Sequence, residues 1–157
     1  TEVVFTEEDM DLFAKKGLYI ITNPGSNTKL ASGIAPITRF LEKGIQVGIG
    51  TDGASSNNCL DMFREMFLTT GLAKLRDKNA SAVDAGEVLK MATVNGAHAM
   101  GLDDCDCLAP GKKADMIMID LHQPNMQPLN NIAKMTKGTA EIPGVEFYQD
   151  MTISARS

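Results

Sequence analysis

Two short apolar runs, each following a helical pattern and leading into a polar loop, organise the first third of the chain. The runs cover residues 18–22 and 45–49, and the second leads through Gly50 and Thr51 to Asp52. Continuous apolar runs of this length are typical of parallel strands that are buried on both faces. Alternating helix and strand patterns with short connections therefore predict βα units and a parallel sheet, an α/β fold.

The helices around these strands carry recognisable boundary signals. Thr6, followed by three acidic residues, is a predicted N-cap, and Gly17 is the predicted end of that helix. Pro36 opens a second predicted helix, which closes at Gly44. Residues 23–27, rich in turn-forming types, are predicted to form a loop at the carboxyl end of the first strand.

Two longer helices are predicted further along the chain. On the first, Leu60, Phe63 and Phe67 share one face, with Met62, Met66 and Ala73 beside them. The second begins at Asp84 as N-cap and ends at Gly101. Its small residues recur at helical spacing and indicate close backbone packing: Ala92, Gly96 and Ala99.

The pattern changes at the Pro-Gly-Lys-Lys segment that starts at residue 110. An apolar strand over residues 114–120 follows, with no helix after it. We therefore predict two units, residues 1–110 with the helices and parallel strands, and residues 111–157 as a separate segment. Two parallel strands cannot close a barrel, so the sequence is expected to be the last part of a longer protein.

Composition narrows the possible partners and compartment. The net charge is −5, without a basic cluster, so nucleic acid and anionic membranes are not expected partners. No apolar run approaches the roughly 20 residues that span a bilayer, and no secretory signal is expected. Three cysteines, an odd number, favour a reducing cytoplasmic location. Cys105 and Cys107 could form half of a metal clip, but a plain loop is favoured.

Asp52 is the leading candidate for chemistry. A carboxylate at the carboxyl end of a buried parallel strand lies where α/β proteins build their sites, and it can bind a metal or carry a proton. The alternative is an ordinary turn, which Asp before Gly often forms. The candidate substrate-binding residues are Asn23, Ser26, Asn27 and Ser55, in the loops that follow the two strands. His98 and His122 are interpreted as helix-end or surface residues.

Four motifs, in order, resemble the amidohydrolase superfamily. They are NPGSNTKLASGIAP from residue 23, GTDGASSNN from residue 50, AHAMG from residue 97 and PGKKAD from residue 110. The most similar branch is that of the 5′-methylthioadenosine/S-adenosylhomocysteine deaminases, with chlorohydrolase-like relatives. The resemblance runs from about residue 3 to about residue 134, and Met135 to Ser157 does not share it.

The resemblance implies a fold and an activity. The family fold is a metal-dependent (β/α)₈ TIM barrel with a small β-sandwich domain. Residues 18–22 and 45–50 would be its seventh and eighth barrel strands, and residues 114–120 would belong to the sandwich. Asp52 would bind a catalytic Zn²⁺ or Fe²⁺ and accept a proton from the attacking water. The implied reaction is hydrolysis of a C–N bond in a purine nucleoside, releasing ammonia.

The other catalytic residues of the family would precede this segment. Its two His ligands after the first strand, its fifth-strand His and the nearby acidic Glu have no counterpart here, and Thr22 stands where the family usually has His. One carboxylate does not make a catalytic metal site, so the isolated chain is expected to be inactive. Two alternatives stay open: a non-catalytic half-barrel that assembles with itself or another chain, and a small-molecule binding module using the loops 23–27 and 51–58.

Overall fold

The computed structural model describes residues 4–120, 145–148 and 152–155, and it describes side chains over residues 4–117. The elements, in chain order, are α1 (Glu7–Lys16), β1 (Tyr19–Thr22), α2 (Pro24–Lys29), α3 (Ile37–Glu42), β2 (Gln46–Ile49), α4 (Ala54–Asn57), α5 (Met62–Asp77), α6 (Ala85–Ala92), α7 (Val94–Ala99), β3 (Ile117–Asp120), β4 (Val145–Tyr148) and β5 (Thr152–Ala155).

The predicted start and end of α1 are confirmed. The Thr6 hydroxyl accepts the Asp9 backbone N–H at 3.1 Å, and the Asp9 carboxyl group accepts the Thr6 N–H at 3.0 Å. This reciprocal capping box satisfies two N–H groups that a helix start leaves without intrahelical partners. Gly17 closes the helix in the left-handed conformation, with φ of 61°, which a glycine adopts without strain.

β1 and β2 pair in parallel, as the sequence predicts. The register runs from Tyr19 opposite Gln46 to Thr22 opposite Ile49. The hydrophobic core lies beside this pair and includes residues of the strands and of the helices that cover them: Ile20, Val47, Phe40, Val88 and Met91. The alternation of helix and strand thus places both strands side by side in one apolar layer.

α7 lies directly against β2. The side-chain amide of Asn95 donates to the Val47 carbonyl oxygen at 2.7 Å, anchoring the helix to the strand backbone. A Cβ atom added at Gly48 would lie 3.8 Å from the Gly96 Cα, so the two backbones are close. This agrees with the close packing predicted from the small residues.

The segment 23–27, predicted to be a loop, mostly lies in helix α2. Pro24 occupies a first-turn position, where its fixed φ suits a helix and its missing N–H costs nothing. Pro24, Gly25, Ser26 and Asn27 are all buried. The turn-forming residue types therefore misled the prediction, because a six-residue helix covered by neighbouring segments needs little intrinsic helix propensity.

The apolar positions noted along α5 divide between the core and the surface. Phe67 is 74% exposed and Phe63 47% exposed, and Leu60 precedes the helix on the surface. The buried side chains of α5 are Glu65, Thr69 and Ala73, and Met62 and Met66 pack against the core. Glu65 turns inward because it meets the backbone of the loop after β1, where the buried Gly25 N–H requires a hydrogen-bonding partner.

The single helix predicted after Asp84 is two helices. Asp84 caps α6 as predicted, accepting the backbone N–H groups of Gly86 at 2.8 Å and Glu87 at 3.0 Å. The break falls at Thr93, with φ −125° and ψ −89°, whose hydroxyl donates to the Leu89 carbonyl oxygen at 2.8 Å. Such back-bonding competes with regular helix geometry and redirects the chain into α7.

The remaining described strands form an antiparallel sheet in the order β3, β5, β4. β3 is the carboxyl-terminal half of the strand predicted over residues 114–120. β4 and β5 fall within the weakly patterned tail, where the sequence indicated no strand. In the part of the chain that the structure describes, no helix is long and apolar enough to cross a bilayer.

Replacing Phe40 by Ala should lower the free energy of unfolding by about 3–5 kcal/mol, because the side chain is 0% exposed and its ring stacks edge-on against Phe5. Phe67→Ala is the matched control, and its exposed ring should be worth no more than about 0.5 kcal/mol. Urea unfolding followed by circular dichroism measures both variants. Equal losses would contradict the core described above.

Candidate functional site

The loops that follow β1 and β2 meet at one edge of the sheet. The Gly50 N–H donates to the Thr22 carbonyl oxygen at 2.9 Å, extending the strand pairing to the last residues before the loops. The Asp52 N–H then donates to the Asn23 side-chain oxygen at 3.1 Å. Asn23 and Asp52 are therefore neighbours, although 29 positions separate them in the sequence.

The Asp52 carboxyl group is exposed and held in a defined position. Its Oδ2 accepts the Ser26 hydroxyl at 2.7 Å. The Ser26 hydroxyl, then the Gly53 backbone N–H and the Ser56 hydroxyl, hold the pKa of Asp52 below its usual range. Asp52 has a φ of 59°, a left-handed conformation that Asp adopts more readily than most residues. The site thus presents a fixed, charged carboxylate at the strand ends.

The four predicted substrate-binding residues lie at different depths around Asp52. Asn23 and Ser26 contact Asp52 directly, as just described. Asn27 is 3% exposed, and its Oδ1 lacks a hydrogen-bond partner among the described residues. Ser55 is exposed, and its backbone carbonyl oxygen accepts Lys29 Nζ at 2.7 Å. Which of them contact a substrate stays a prediction.

A small cavity of about 10 Å³ lies behind the loop, and Asn27 is among its lining residues. Thr22 and Thr69 line the same cavity. A space of this size holds about one water molecule when polar partners surround it. The buried Asn27 amide therefore faces the interior, and the exposed side of the site belongs to Asp52.

Sequence reasoning missed Glu65, the carboxyl group buried beneath both loops. Its Oε2 accepts the Gly25 N–H at 2.8 Å, and its Oε1 accepts the Asn57 side-chain amide at 2.8 Å. The same amide donates to the Thr51 carbonyl oxygen at 2.6 Å. The signal that could have found Glu65 is its spacing with Thr69 and Ala73, at i, i+4 and i+8, a helical face without large apolar residues.

The described residues supply one part of a metal site, not a complete one. No group of three or more His, Cys, Asp or Glu side chains able to hold a metal occurs among them. Asp52, exposed and charged, fits the role of a single oxygen ligand. A catalytic Zn²⁺ or Fe²⁺ would therefore need further ligands from outside the part of the chain that the structure describes.

His98, Cys105 and Cys107 lie in contacts of their own, apart from the hydrogen bonds around Asp52. His98 pairs through Nε2 with Asp106 Oδ2 at 3.1 Å, and Lys112 binds the other oxygen of Asp106 at 2.6 Å. These two contacts hold the pKa of Asp106 well below its usual range, and the Lys112 contact contributes most. Cys105 and Cys107 have free thiols in the same loop. His98 thus fixes a loop, and His122 lies outside the described residues.

Replacing Ser26 by Ala should raise the pKa of Asp52 toward its ordinary value of about 3.9, because the hydroxyl is the main cause of the lowered pKa. A lowered folded-state pKa stabilises the fold above the unfolded-state value, and that stabilisation is lost as pH falls through the folded-state pKa. The variant should therefore lose less stability in acid than the parent chain. Carboxyl ¹³C NMR titration measures the pKa, with the exposed Ser32→Ala as control. An unchanged pKa in Ser26→Ala would contradict the hydrogen bond.

Replacing Gly25 by Ala should lower the free energy of unfolding by about 1–3 kcal/mol. The added methyl carbon would lie 2.3 Å from Glu65 Oε1 and 2.9 Å from Asn57 Nδ2, and hydrogen bonds prevent both side chains from swinging away. Gly71→Ala, inside α5 with open space around it, is the matched control and should gain up to about 1 kcal/mol. Thermal unfolding of both variants measures the difference. Similar stability of the two would argue against the buried contact.

Curated relatives are deaminases of adenosine-type nucleosides. A protein of Halothermothrix orenii named 5-methylthioadenosine/S-adenosylhomocysteine deaminase is 48% identical over 135 residues, covering 83% of this chain and 31% of that protein. A 5′-deoxyadenosine deaminase of Methanothermobacter thermautotrophicus is 43% identical over 123 residues, covering 78% of this chain and 29% of that protein. The chain thus spans about three-tenths of the length of these relatives.

Solved structures of hydrolases share the fold. An adenosine deaminase from Xanthomonas campestris with bound zinc superposes with a TM-score of 0.78 at 33% identity, over 96% of this chain and 35% of that one. The atrazine chlorohydrolase of Arthrobacter aurescens, complexed with zinc, superposes with a TM-score of 0.77 at 24% identity, over 97% of this chain and 34% of that one. The second likeness concerns the fold alone.

The family profile decides the classification. The profile of the amidohydrolase family matches residues 2–145, beyond the point at which the motif resemblance ends. The match includes both strands, the Asp52 loop and every helix described above. It confirms the resemblance drawn from the four motifs, and this chain belongs to the amidohydrolase family.

Proposed function

We propose that this chain forms the carboxyl-terminal part of a metal-dependent deaminase that hydrolyses a C–N bond in a purine nucleoside. S-adenosylhomocysteine, methylthioadenosine and 5′-deoxyadenosine are the candidate substrates, because the curated relatives are named for them. In this proposal β1 and β2 are the last two strands of a (β/α)₈ barrel. Residues 1–110 belong to the barrel, and residues 111–157 comprise a partial β-sandwich segment and a divergent tail.

The observation that carries the proposal is the exposed Asp52 carboxylate at the carboxyl end of β2. Ser26 and Asn23 hold it from the neighbouring strand end. Catalytic groups of αβ barrels lie at this end of the strands, whereas the opposite end mainly contributes stability. An Asp carboxyl group is charged at neutral pH, as a cation ligand must be, and the hydrogen bonds that lower the pKa of Asp52 favour this charged form further.

Asp52 would hold a divalent Zn²⁺ or Fe²⁺ ion and take up a proton. When bound, such an ion supplies a Lewis acid that makes water a nucleophile near neutral pH. The Asp52 carboxylate has two oxygens, so one could serve the ion while the other accepts the proton of the attacking water. Asn23, Ser26, Asn27 and Ser55 stay the candidates for contacts with the nucleoside.

The rest of the metal site would come from the part of a whole amidohydrolase that precedes the matched region. A catalytic zinc ion has about three protein ligands, and the described residues offer Asp52 alone. The isolated chain should therefore be inactive. The partners we propose are a small-molecule nucleoside and the remainder of the barrel, in a cytoplasmic enzyme.

Exposed apolar side chains support one alternative, a half-barrel that assembles with itself or with another chain. Phe67, Leu60 and Leu75 are more than half exposed in this structure. Large exposed apolar side chains that cluster mark surfaces which other protein covers. The deaminase proposal and this alternative differ in one consequence, since only the former requires Asp52 to act in catalysis.

A chimaeric enzyme tests the proposed function. The matched carboxyl-terminal part of the Halothermothrix orenii relative is replaced by this chain, and ammonia release is measured with the three candidate nucleosides. We expect activity on at least one of them, and Asp52→Asn should reduce kcat/KM by roughly 10²–10⁴-fold. Asn suits this test because it adopts the left-handed backbone of position 52 as readily as Asp.

Asp11→Asn is the matched control for the chimaera. Asp11 is an exposed residue of α1 that pairs with Lys43, away from the strand-end loops, so the substitution should leave activity unchanged. A folded chimaera that is inactive with all three nucleosides, or that keeps its activity in Asp52→Asn, would refute the proposed function.

A further inference from the structure

Glu65 is a buried carboxyl group on α5 that lies between the two strand-end loops without facing solvent. Its relative exposure is 0%, the lowest possible value, whereas Asp52 is exposed. Burying a carboxyl group is costly unless hydrogen bonds satisfy both of its oxygens. Here the donors come from both strand-end loops, so the group can link them.

The first link runs to the loop after β1. Glu65 Oε2 accepts the Gly25 N–H at 2.8 Å. Gly25 precedes Ser26, whose hydroxyl donates to Asp52 Oδ2 at 2.7 Å. Fixing the backbone at Gly25 therefore fixes the position from which Ser26 reaches the candidate catalytic carboxylate.

The second link runs to the loop after β2. Glu65 Oε1 accepts the Asn57 amide at 2.8 Å, and the same Nδ2 donates to the Thr51 carbonyl oxygen at 2.6 Å. Thr51 is bonded to Asp52, so this link holds the backbone on the amino-terminal side of the residue. Arg64 Nη1 lies 3.4 Å from Asn57 Oδ1 and further limits rotation of the amide.

We propose that Glu65 is a positioning residue of the site, which sets the place and direction of the Asp52 carboxylate by tying Gly25 and Thr51 to one point on α5. Its effect on catalysis rests on the proposed function, whereas its effect on the loops does not. Only a side chain with two acceptor oxygens fulfils this role, because both donors are N–H groups. Glutamine, of nearly the same shape, would direct an NH₂ group at one of them.

Amide hydrogen exchange in this chain tests the link without any need for activity. In the parent chain, the Gly25 amide should exchange slowly, because it donates to a buried acceptor. Glu65→Gln should speed exchange at Gly25 and Asp52 by about ten-fold or more, while Val47 in β2 keeps its rate. If Glu65 only stabilised the fold as a whole, Glu65→Gln would speed exchange at Gly25, Asp52 and Val47 alike, because the variant would lose global stability.

Thr69→Val is the matched control on the same helix face. Thr69 is buried one turn after Glu65, and its hydroxyl donates to the Glu65 carbonyl oxygen at 2.8 Å rather than to Gly25, Asn57 or Thr51. This variant perturbs the same core but should leave the rates at Gly25 and Asp52 unchanged relative to Val47. Fast exchange at Gly25 in the parent chain, which needs no variant, would overturn the proposal even if Glu65→Gln failed to fold.

The chimaeric deaminase extends the test to catalysis. We expect Glu65→Gln to lower kcat by roughly ten- to a hundred-fold with KM little changed, because a displaced Asp52 impairs the reaction more than binding. Thr69→Val should keep both constants. An inactive parent chimaera would refute the proposed function and leave the exchange result standing. Selective exchange at Gly25 with unchanged kcat in Glu65→Gln would overturn the positioning role while the proposed function survives.

Discussion

The parallel pairing of β1 with β2 is the constraint on which the candidate site depends. With Thr22 opposite Ile49, the chain leaves both strands at the same level, and Asn23 meets the backbone of Asp52. A slip by one residue would turn every β2 side chain to the other face and separate these neighbours. The apolar burial that fixes the register therefore also fixes the polar contacts beyond the strand ends.

The strand-end loops are held by side chains because their backbone groups leave the sheet. Gly25 and Thr51 lie beyond the strand pairing, and buried backbone groups need partners. Glu65 accepts the Gly25 N–H, and the Asn57 amide donates to the Thr51 carbonyl oxygen. The positive φ of Asp52 is a conformation that persists only where its surroundings determine it. Here the Ser26 hydroxyl donates to the Asp52 carboxylate, and the Asp52 N–H donates to the Asn23 side-chain oxygen. An exposed carboxylate is thus oriented by buried polar residues.

The sequence predicted those elements whose signals are local. The N-caps at Thr6 and Asp84 and the two strands follow from hydrogen-bonding side chains and apolar runs that any reader of the sequence can locate. Asp52 was identified in the same way, from its place after a buried strand. The short helix α2 and the break at Thr93 were not predicted, because tertiary contacts determine both and override the local propensity of the sequence.

The burial of Glu65 on α5 was missed for a different physical reason, and it bears on the site. Periodicity identifies an apolar face and assumes that burial follows apolarity, but the buried face of α5 meets polar backbone and carries Glu65.

The same helix leaves Phe67 exposed on its other side. Among the described residues, Asp52 is the one exposed carboxylate that the two strand-end loops hold. The helix α5 thus contacts the strand-end loops through Glu65 on one face and leaves Phe67 exposed on another. The side chains whose hydrogen bonds position Asp52 all lie within residues 23–65, so this one segment holds the carboxylate in place.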